Sequence, residues 1–225
     1  MLYKKVIPVD VFELAKKLLA VNELKKFRLS GGLSLSLQLG HRKAVDIDLF
    51  VDNVFDKVAT KYALKKKFPD SSLAVEKFFG SVYIINGVKV HICRDNGKFI
   101  QPAITEDGLR LASIQDISAK KILSITEKPN KRDFVDLACL LEKLSLDDIL
   151  KNYQKKYGFV DVRNVLLVLM KTYLVDEEQM PEMIDEISWT EVKEKLEAQV
   201  KEYLTQLKKA KKQEVEKRAK KKEIA

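Results

Sequence analysis

GGLSLSLQLGHRKAVDIDLF, residues 31–50, is the stretch whose reading decides the fold. It opens on Gly31-Gly32, passes through an apolar run and closes on Asp46 and Asp48. Two glycines let the backbone turn tightly and let a ligand approach it closely. LSLSLQL alternates as a strand does, yet its leucine content also suits a buried helix. We read it as a helix, because a glycine turn opening a helix aims free backbone N–H groups at one point and makes an anion site. VDIDLF then reads as a strand. Alternate strand residues share a face, so Asp46 and Asp48 should project together while Val45, Ile47 and Leu49 point to the core. Two carboxylates beside a phosphate-sized turn suit Mg²⁺ or Mn²⁺ and a nucleoside triphosphate.

Working outward, residues 9–26 place Val11, Phe12, Leu14, Ala15, Leu18 and Leu19 at helical spacing, which predicts an amphipathic helix broken near Asn22. Residues 28–30 form the strand that feeds the glycine turn. Downstream, residues 54–67 predict a helix with Phe55, Val58 and Leu64 inward, ended by a Pro-Asp-Ser-Ser turn. Three β-like segments follow, LAVEKFF, SVYIING and VKVHICR. Gly80-Ser81 splits the first pair, and Asn86-Gly87 splits the second with a type I′ hairpin signal.

A second constellation lies at residues 107–143. LRLAS reads as a short strand before a helix capped by Ser113, with Asp116 countering the helix dipole. Ile117, Lys121 and Ser124 share one side of that helix, and Lys120 stands a quarter-turn away. After the EKPNKRD turn, Phe134, Leu137, Ala138 and Leu141 mark the core face of a further helix. Asp133 and Asp136, three apart, should be neighbours on its surface. Taken alone, Lys121 and Asp133 read better as a surface salt bridge between ordinary helices. Beyond Leu144 the chain reads as helical throughout, with a buried helix over 162–174 and an acidic turn at 176–187. A last helix, anchored by Trp189, carries Val192, Leu196, Val200, Tyr203, Leu204 and Leu207 on one stripe. From Ala210 charge dominates, so this end is expected to fray or project.

The two constellations together resemble the AbiEii/AbiGii-type toxin nucleotidyltransferases of bacterial abortive-infection and toxin–antitoxin systems, within the polymerase-β-like superfamily. LQLGHRKAVDIDLF carries the first half of the resemblance. Asp116, Ala119 and Lys121 fit a D-x-x-A-x-K pattern, and Lys131 or Arg132 with Asp133, Phe134, Asp136 and Leu137 fit K/R-x-D-F-x-D-L. The resemblance covers roughly residues 25–143. It implies an α/β (α+β) fold: a small mixed β-sheet with flanking helices and a helical C-terminal half, divided into units 1–112 and 113–225. It also implies that residues 88–94 lie beside the acidic strand. By resemblance Asp46 and Asp48 hold the metal and are catalytic, and Gly31, Gly32, Ser34 and Arg42 contact the nucleotide. Lys121 meets its phosphates, and Asp133 acts at or beside the active centre. Two positions depart from the pattern. Leu33 stands where relatives carry Thr or Ser, and His91 stands where an aspartate supplies a third carboxylate. An imidazole can take a proton or ligate a metal, but serves Mg²⁺ less well than a carboxylate. Arg42 could reach a phosphate or pair with a carboxylate; His41 reads as structural.

The 225 residues are 46% hydrophobic, enough for a sizeable core, and hold no apolar run long enough to cross a membrane. The start lacks the apolar core of a signal peptide, so the expected location is the cytoplasm. Cys93 and Cys139 have no metal-ligand spacing and should be reduced thiols. Residues 208–225 hold nine Lys/Arg and three Glu, so most of the net charge of +9 belongs to the tail. The expected function is that of a phage-defence toxin that moves a nucleotide from a nucleoside triphosphate to an RNA, such as a tRNA 3′ end, or to a protein hydroxyl. A cognate antitoxin would be its partner. The alternatives are a degenerate protein that binds nucleotide or RNA without turnover, and a helical scaffold working through its basic tail.

Overall fold

The computed structural model of the protein describes residues 1–158 and 161–223. Its sheet has seven strands: β1 (Arg28–Ser30), β2 (Ile47–Val51), β3 (Ser72–Lys77), β4 (Gly80–Ile85), β5 (Val88–Arg94), β6 (Ile104–Glu106) and β7 (Leu109–Leu111). The spatial order is β3-β4-β5-β2-β1-β7-β6. The β2–β5 and β1–β7 pairs are parallel and the remaining pairs antiparallel, so the sheet is mixed, as the sequence implied.

Eight α-helices accompany it among the described residues: α1 (Val9–Leu19), α2 (Gly31–Leu39), α3 (Lys57–Lys67), α4 (Ile114–Glu127), α5 (Lys131–Leu140), α6 (Leu146–Tyr157), α7 (Val162–Leu169) and α8 (Trp189–Glu223). LSLSLQL is helical: Ser30 is the extended residue before α2, and Gly40 ends it in the left-handed conformation. All six apolar residues expected on the core face of α1 are buried. A 3-10 turn at Asn22–Leu24 marks the expected break. Asn86 and Gly87 both have positive φ, as a type I′ hairpin between β4 and β5 requires.

Buried apolar residues form two clusters. One joins α1 and α3 to the sheet and includes Phe27, Leu29, Ile47 and Leu49. The other joins α4 to α8 and takes in Leu35 from α2, so α2 packs into both. Lys156 of α6, almost wholly buried, stands 3.0 Å from Asp116 at the start of α4 and 3.5 Å from Asp95 just beyond β5. Asp116 also accepts the N–H groups of Ile100 and Gln101. This ionic staple fixes the end of the sheet to the helices. No described helix is long and apolar enough to cross a membrane.

Several expectations are corrected. Val45 is exposed, because β2 begins only at Ile47 and the preceding residues are irregular. Val58 is 80% exposed, because Asp56 caps α3 and starts it at Lys57, which turns Val58 outward. The β3–β4 turn is Phe78-Phe79, since Lys77 pairs with Gly80. The apolar run at 162–174 is helical only to Leu169 and resumes as a 3-10 turn at Thr172–Val175; Leu167 on α7 and Tyr173 and Leu174 in the turn are exposed. Asp133 and Asp136 are neighbours on α5 as expected, both meeting Lys121, but Asp136 is fully buried. In α8, Val192, Leu196 and Val200 are buried as expected, while Leu204 and Leu207 are exposed. The backbone of α8 runs to Glu223; the expectation for the chain beyond Ala210 falls largely on side chains, at 211 and 214–225, that lie outside the described residues.

Candidate active site

The site is built where α2 leaves the sheet. Gly31 has φ 63°, and a Cβ there would collide with the Asp48 carboxylate; a Cβ on Gly32 would collide with the Arg42 guanidinium. The two glycines therefore let an acidic and a basic side chain press against the opening turn of α2. Asp48 is the second residue of β2, paired across the antiparallel ladder with Ser30 and across the parallel ladder with His91. His91 Nδ1 lies 3.9 Å from Asp48 Oδ1, beyond hydrogen-bond length. Asp46 precedes the strand and is half-exposed, with Arg132 Nη1 3.8 Å from its carboxylate.

An open cleft of about 460 Å³ gathers these groups. Gly32, Arg42, Asp46, Asp48, His91, Lys121 and Asp133 line it, so seven of the nine expected site residues share one wall system. A smaller hollow of about 220 Å³ shares Gly32, Asp48, Lys121 and Asp133 with it and adds Gly31, Phe50 and Lys120. Ser34 does not take part. It is wholly buried one turn into α2, where it receives a hydrogen bond from Gln38 Nε2 (3.1 Å), so the nucleotide-binding role expected of it is withdrawn. The Leu33 side chain likewise belongs to the core, leaving backbone N–H groups as the turn's donors.

Burial raises the Asp48 carboxyl above its ordinary range and Asp46 adds to the effect, while His91, Lys121 and Lys120 pull the other way. Such a carboxylate gains from a cation. Among the described residues, no three His, Cys, Asp or Glu side chains gather as a metal cage. The paired aspartates still fit a divalent ion of the Mg²⁺ type, which uses one or two carboxylates and takes its remaining oxygens from water and substrate phosphate.

Behind the cleft runs a buried ionic network. Lys121 Nζ lies 2.5 Å from Asp133 and 2.6 Å from Asp136. Arg42 donates two hydrogen bonds to Asp136, from Nε (2.6 Å) and Nη2 (2.9 Å), and His41 Nε2 adds a third at 2.8 Å. Of the two alternatives for Arg42, the structure shows pairing with a carboxylate. Burial opposes the charge on Lys121, but Asp136 and Asp133 outweigh it and hold the ammonium above its ordinary value. Burial would raise Asp136, yet Lys121, Arg42 and His41 hold it well below the carboxylate range. Asp133 is held low in the same way by Lys121, Ser124 and Asn130.

Sequence reasoning missed four contributors. Lys43, Lys89 and Arg132 bring cationic side chains to the cleft. Lys89 was legible, since it stands two residues before His91 on β5 and shares its face. The acidic segment at 176–187 supplies Pro181 and Glu182 to the cleft wall. It is held there by Lys43 N–H to Glu182 O (2.8 Å) and Ile184 N–H to His41 O (3.0 Å), contacts between positions far apart in sequence.

The sequence pattern of the nucleotidyl transferase AbiEii toxin family, a type IV toxin–antitoxin system, matches residues 14–221. The chain belongs to the AbiEii nucleotidyltransferase toxin family. An uncharacterized protein of Aquifex aeolicus (strain VF5) is 27% identical over 200 residues, covering 85% of this chain and 95% of its own. Among solved structures, JHP933 from Helicobacter pylori superposes with a TM-score of 0.56 at 17% identity, over 91% of this chain and 93% of that one. The nucleotidyltransferase toxin MenT4 from Mycobacterium tuberculosis H37Rv does so with 0.52 at 10% identity, over 84% and 81%. These likenesses carry the fold. Membership in the AbiEii family implies transferase chemistry on a nucleoside triphosphate and an antitoxin partner.

Proposed function

We propose that this AbiEii-family chain transfers a nucleotidyl group from a nucleoside triphosphate to a hydroxyl of an RNA, the 3′ end of a tRNA being the acceptor the family resemblance suggests. The observation that carries the reading is the contact of Asp48 with Gly31: a desolvated carboxylate lies against the N-terminal turn of α2, so a phosphate and its cation can be met together. In the reaction the acceptor oxygen bonds to the α-phosphorus, the bond from that phosphorus to the β-phosphate oxygen breaks, and pyrophosphate departs. Asp46 and Asp48 would hold Mg²⁺ or Mn²⁺, which supplies charge neutralisation at the phosphates when bound. The N–H groups at Gly31-Gly32 orient the phosphate chain. Lys121, tied to Asp133 and Asp136, keeps a fixed positive charge beside the carboxylates as negative charge builds on the leaving group.

The acceptor proton falls to His91. Asp133 already accepts hydrogen bonds from Lys121, Ser124 and Asn130 and is held low, so it is a poor base and acts through Lys121. Release of pyrophosphate from each of the four triphosphates, with total tRNA and Mg²⁺ or Mn²⁺, tests the reading. We expect release with the parent chain and its loss, by at least a hundredfold, in Asp46→Ala and Asp48→Asn.

One observation favours a second reading, a nucleotide-binding protein without turnover: His91 stands beside Asp48 where the family's third carboxylate belongs. Mg²⁺-dependent triphosphate binding without pyrophosphate release would select it. Transfer to a protein hydroxyl would use the same groups, and is distinguished by the molecule that carries the label.

A further inference from the structure

The β3–β4 hairpin turns on Phe78 and Phe79, where two-residue turns ordinarily use Gly, Asn or Asp. Phe78 is 85% exposed and Phe79 41%, and the rings meet edge to face with centroids 4.8 Å apart. Neither turn chemistry nor core packing calls for phenylalanine here. The surroundings are cationic. The Arg94 guanidinium lies over the Phe79 ring at 4.9 Å, and Lys57 Nζ reaches the carbonyl of Lys77, the residue before the turn. Lys57 Nζ also stands 3.7 Å from Glu76, so Lys77 and Arg94 are the cations beside the turn that no acid among the described residues is shown to pair. The tip adjoins the strand that borders the active site, with the Arg94 and His91 side chains on opposite faces of it. Strand β5 carries His91 beside Asp48 and ends at Arg94, whose N–H donates to Phe79 O (2.7 Å), about 10 Å further along the strand.

We propose that Phe78 and Phe79, flanked by Lys57, Lys77 and Arg94, form a stacking platform for unpaired bases of the acceptor RNA. Exposed aromatic faces amid cations are how single strands are held without sequence preference: the rings stack the bases and the cations follow the phosphates. An apolar protein partner would account for the aromatic pair but not for the cations Lys57, Lys77 and Arg94 beside it. The proposal rests on the RNA-acceptor reading, and it can be tested without transfer.

The test is fluorescence anisotropy of an unstructured, labelled twelve-nucleotide RNA titrated with the full-length chain, in parallel with binding of a fluorescent triphosphate. Phe78→Ser and Phe79→Ser are both at an exposed turn and should leave the melting temperature unchanged. Each is expected to weaken RNA binding by roughly tenfold without altering the salt dependence, while triphosphate binding stays as in the parent. Lys57→Gln with Lys77→Gln should instead flatten the salt dependence. RNA binding by both phenylalanine variants equal to the parent's would overturn the proposal, as would a parent chain that binds no RNA. Selective loss of RNA binding in a chain that releases no pyrophosphate would sustain the platform while refuting the transferase.

Discussion

Asp136 shows how much a single buried carboxylate can organise. Lys121, Arg42 and His41 converge on it from three segments of the chain, and none of the three reaches water freely. Asp136→Asn removes the charge that compensates two buried cations, and should cost about 3 kcal/mol in urea unfolding at neutral pH. The pH dependence has a definite sign. Asp136 is held below its ordinary 3.8, so the unfolded chain binds the proton more readily and the stabilisation is complete above that value. It drains away as pH falls through the depressed value. The gap between parent and Asp136→Asn should therefore narrow in acid, and a gap that stays constant down to the acid transition would contradict the assignment. The role of Asp136 was hidden in the sequence because its spacing from Asp133 reports only a shared helix face. Its burial depends on Arg42, 94 positions away. Asp48 was legible because the glycines and the alternation that define its surroundings are local.

Helices were read well where local rules agreed and poorly where a cap moved the phase. In α2 the Gly31-Gly32 turn outvoted the alternation of LSLSLQL, and the helix presents buried residues on all sides. In α3 the Asp56 cap places Lys57 first, which carries Leu64 inward and Val58 outward. Val58→Ser should consequently change stability by less than about 0.5 kcal/mol, and Leu64→Ala should cost about 3 kcal/mol. Equal losses in the two variants, measured by thermal unfolding, would restore the phase that the sequence suggested. At α5, the Asn130 side chain caps the Asp133 N–H (3.0 Å) and donates to the Asp133 carboxylate (2.6 Å). Asn130→Ala should lose about 1 kcal/mol of stability, and activity beyond that loss, because Asp133 then positions Lys121 with one donor fewer.

At the scale of the molecule, the order of strands and helices followed from turn signals and periodicity except at β6 and at 162–174, whereas the joining of the parts did not. The Lys156–Asp116–Asp95 staple and the docking of residues 176–187 beside His41 and Lys43 are contacts between positions far apart in the chain. Charge composition alone could not foretell them. Among the described residues of α8, the last buried one is Val200, well before the basic tail. Removing residues 208–225 should accordingly leave the melting temperature within about 2 °C of the parent. It should also leave triphosphate binding intact, and loss of both would return the tail to the centre of the function.

The most direct test of the account is to follow the label of each α-³²P nucleoside triphosphate, with total tRNA and Mg²⁺ or Mn²⁺, in the parent chain, Asp46→Ala and His91→Ala. We predict label on RNA with the parent, none with Asp46→Ala, and a large loss with His91→Ala. Label that never leaves the triphosphate, in a chain that still binds it, would contradict the claim that this cleft transfers nucleotides.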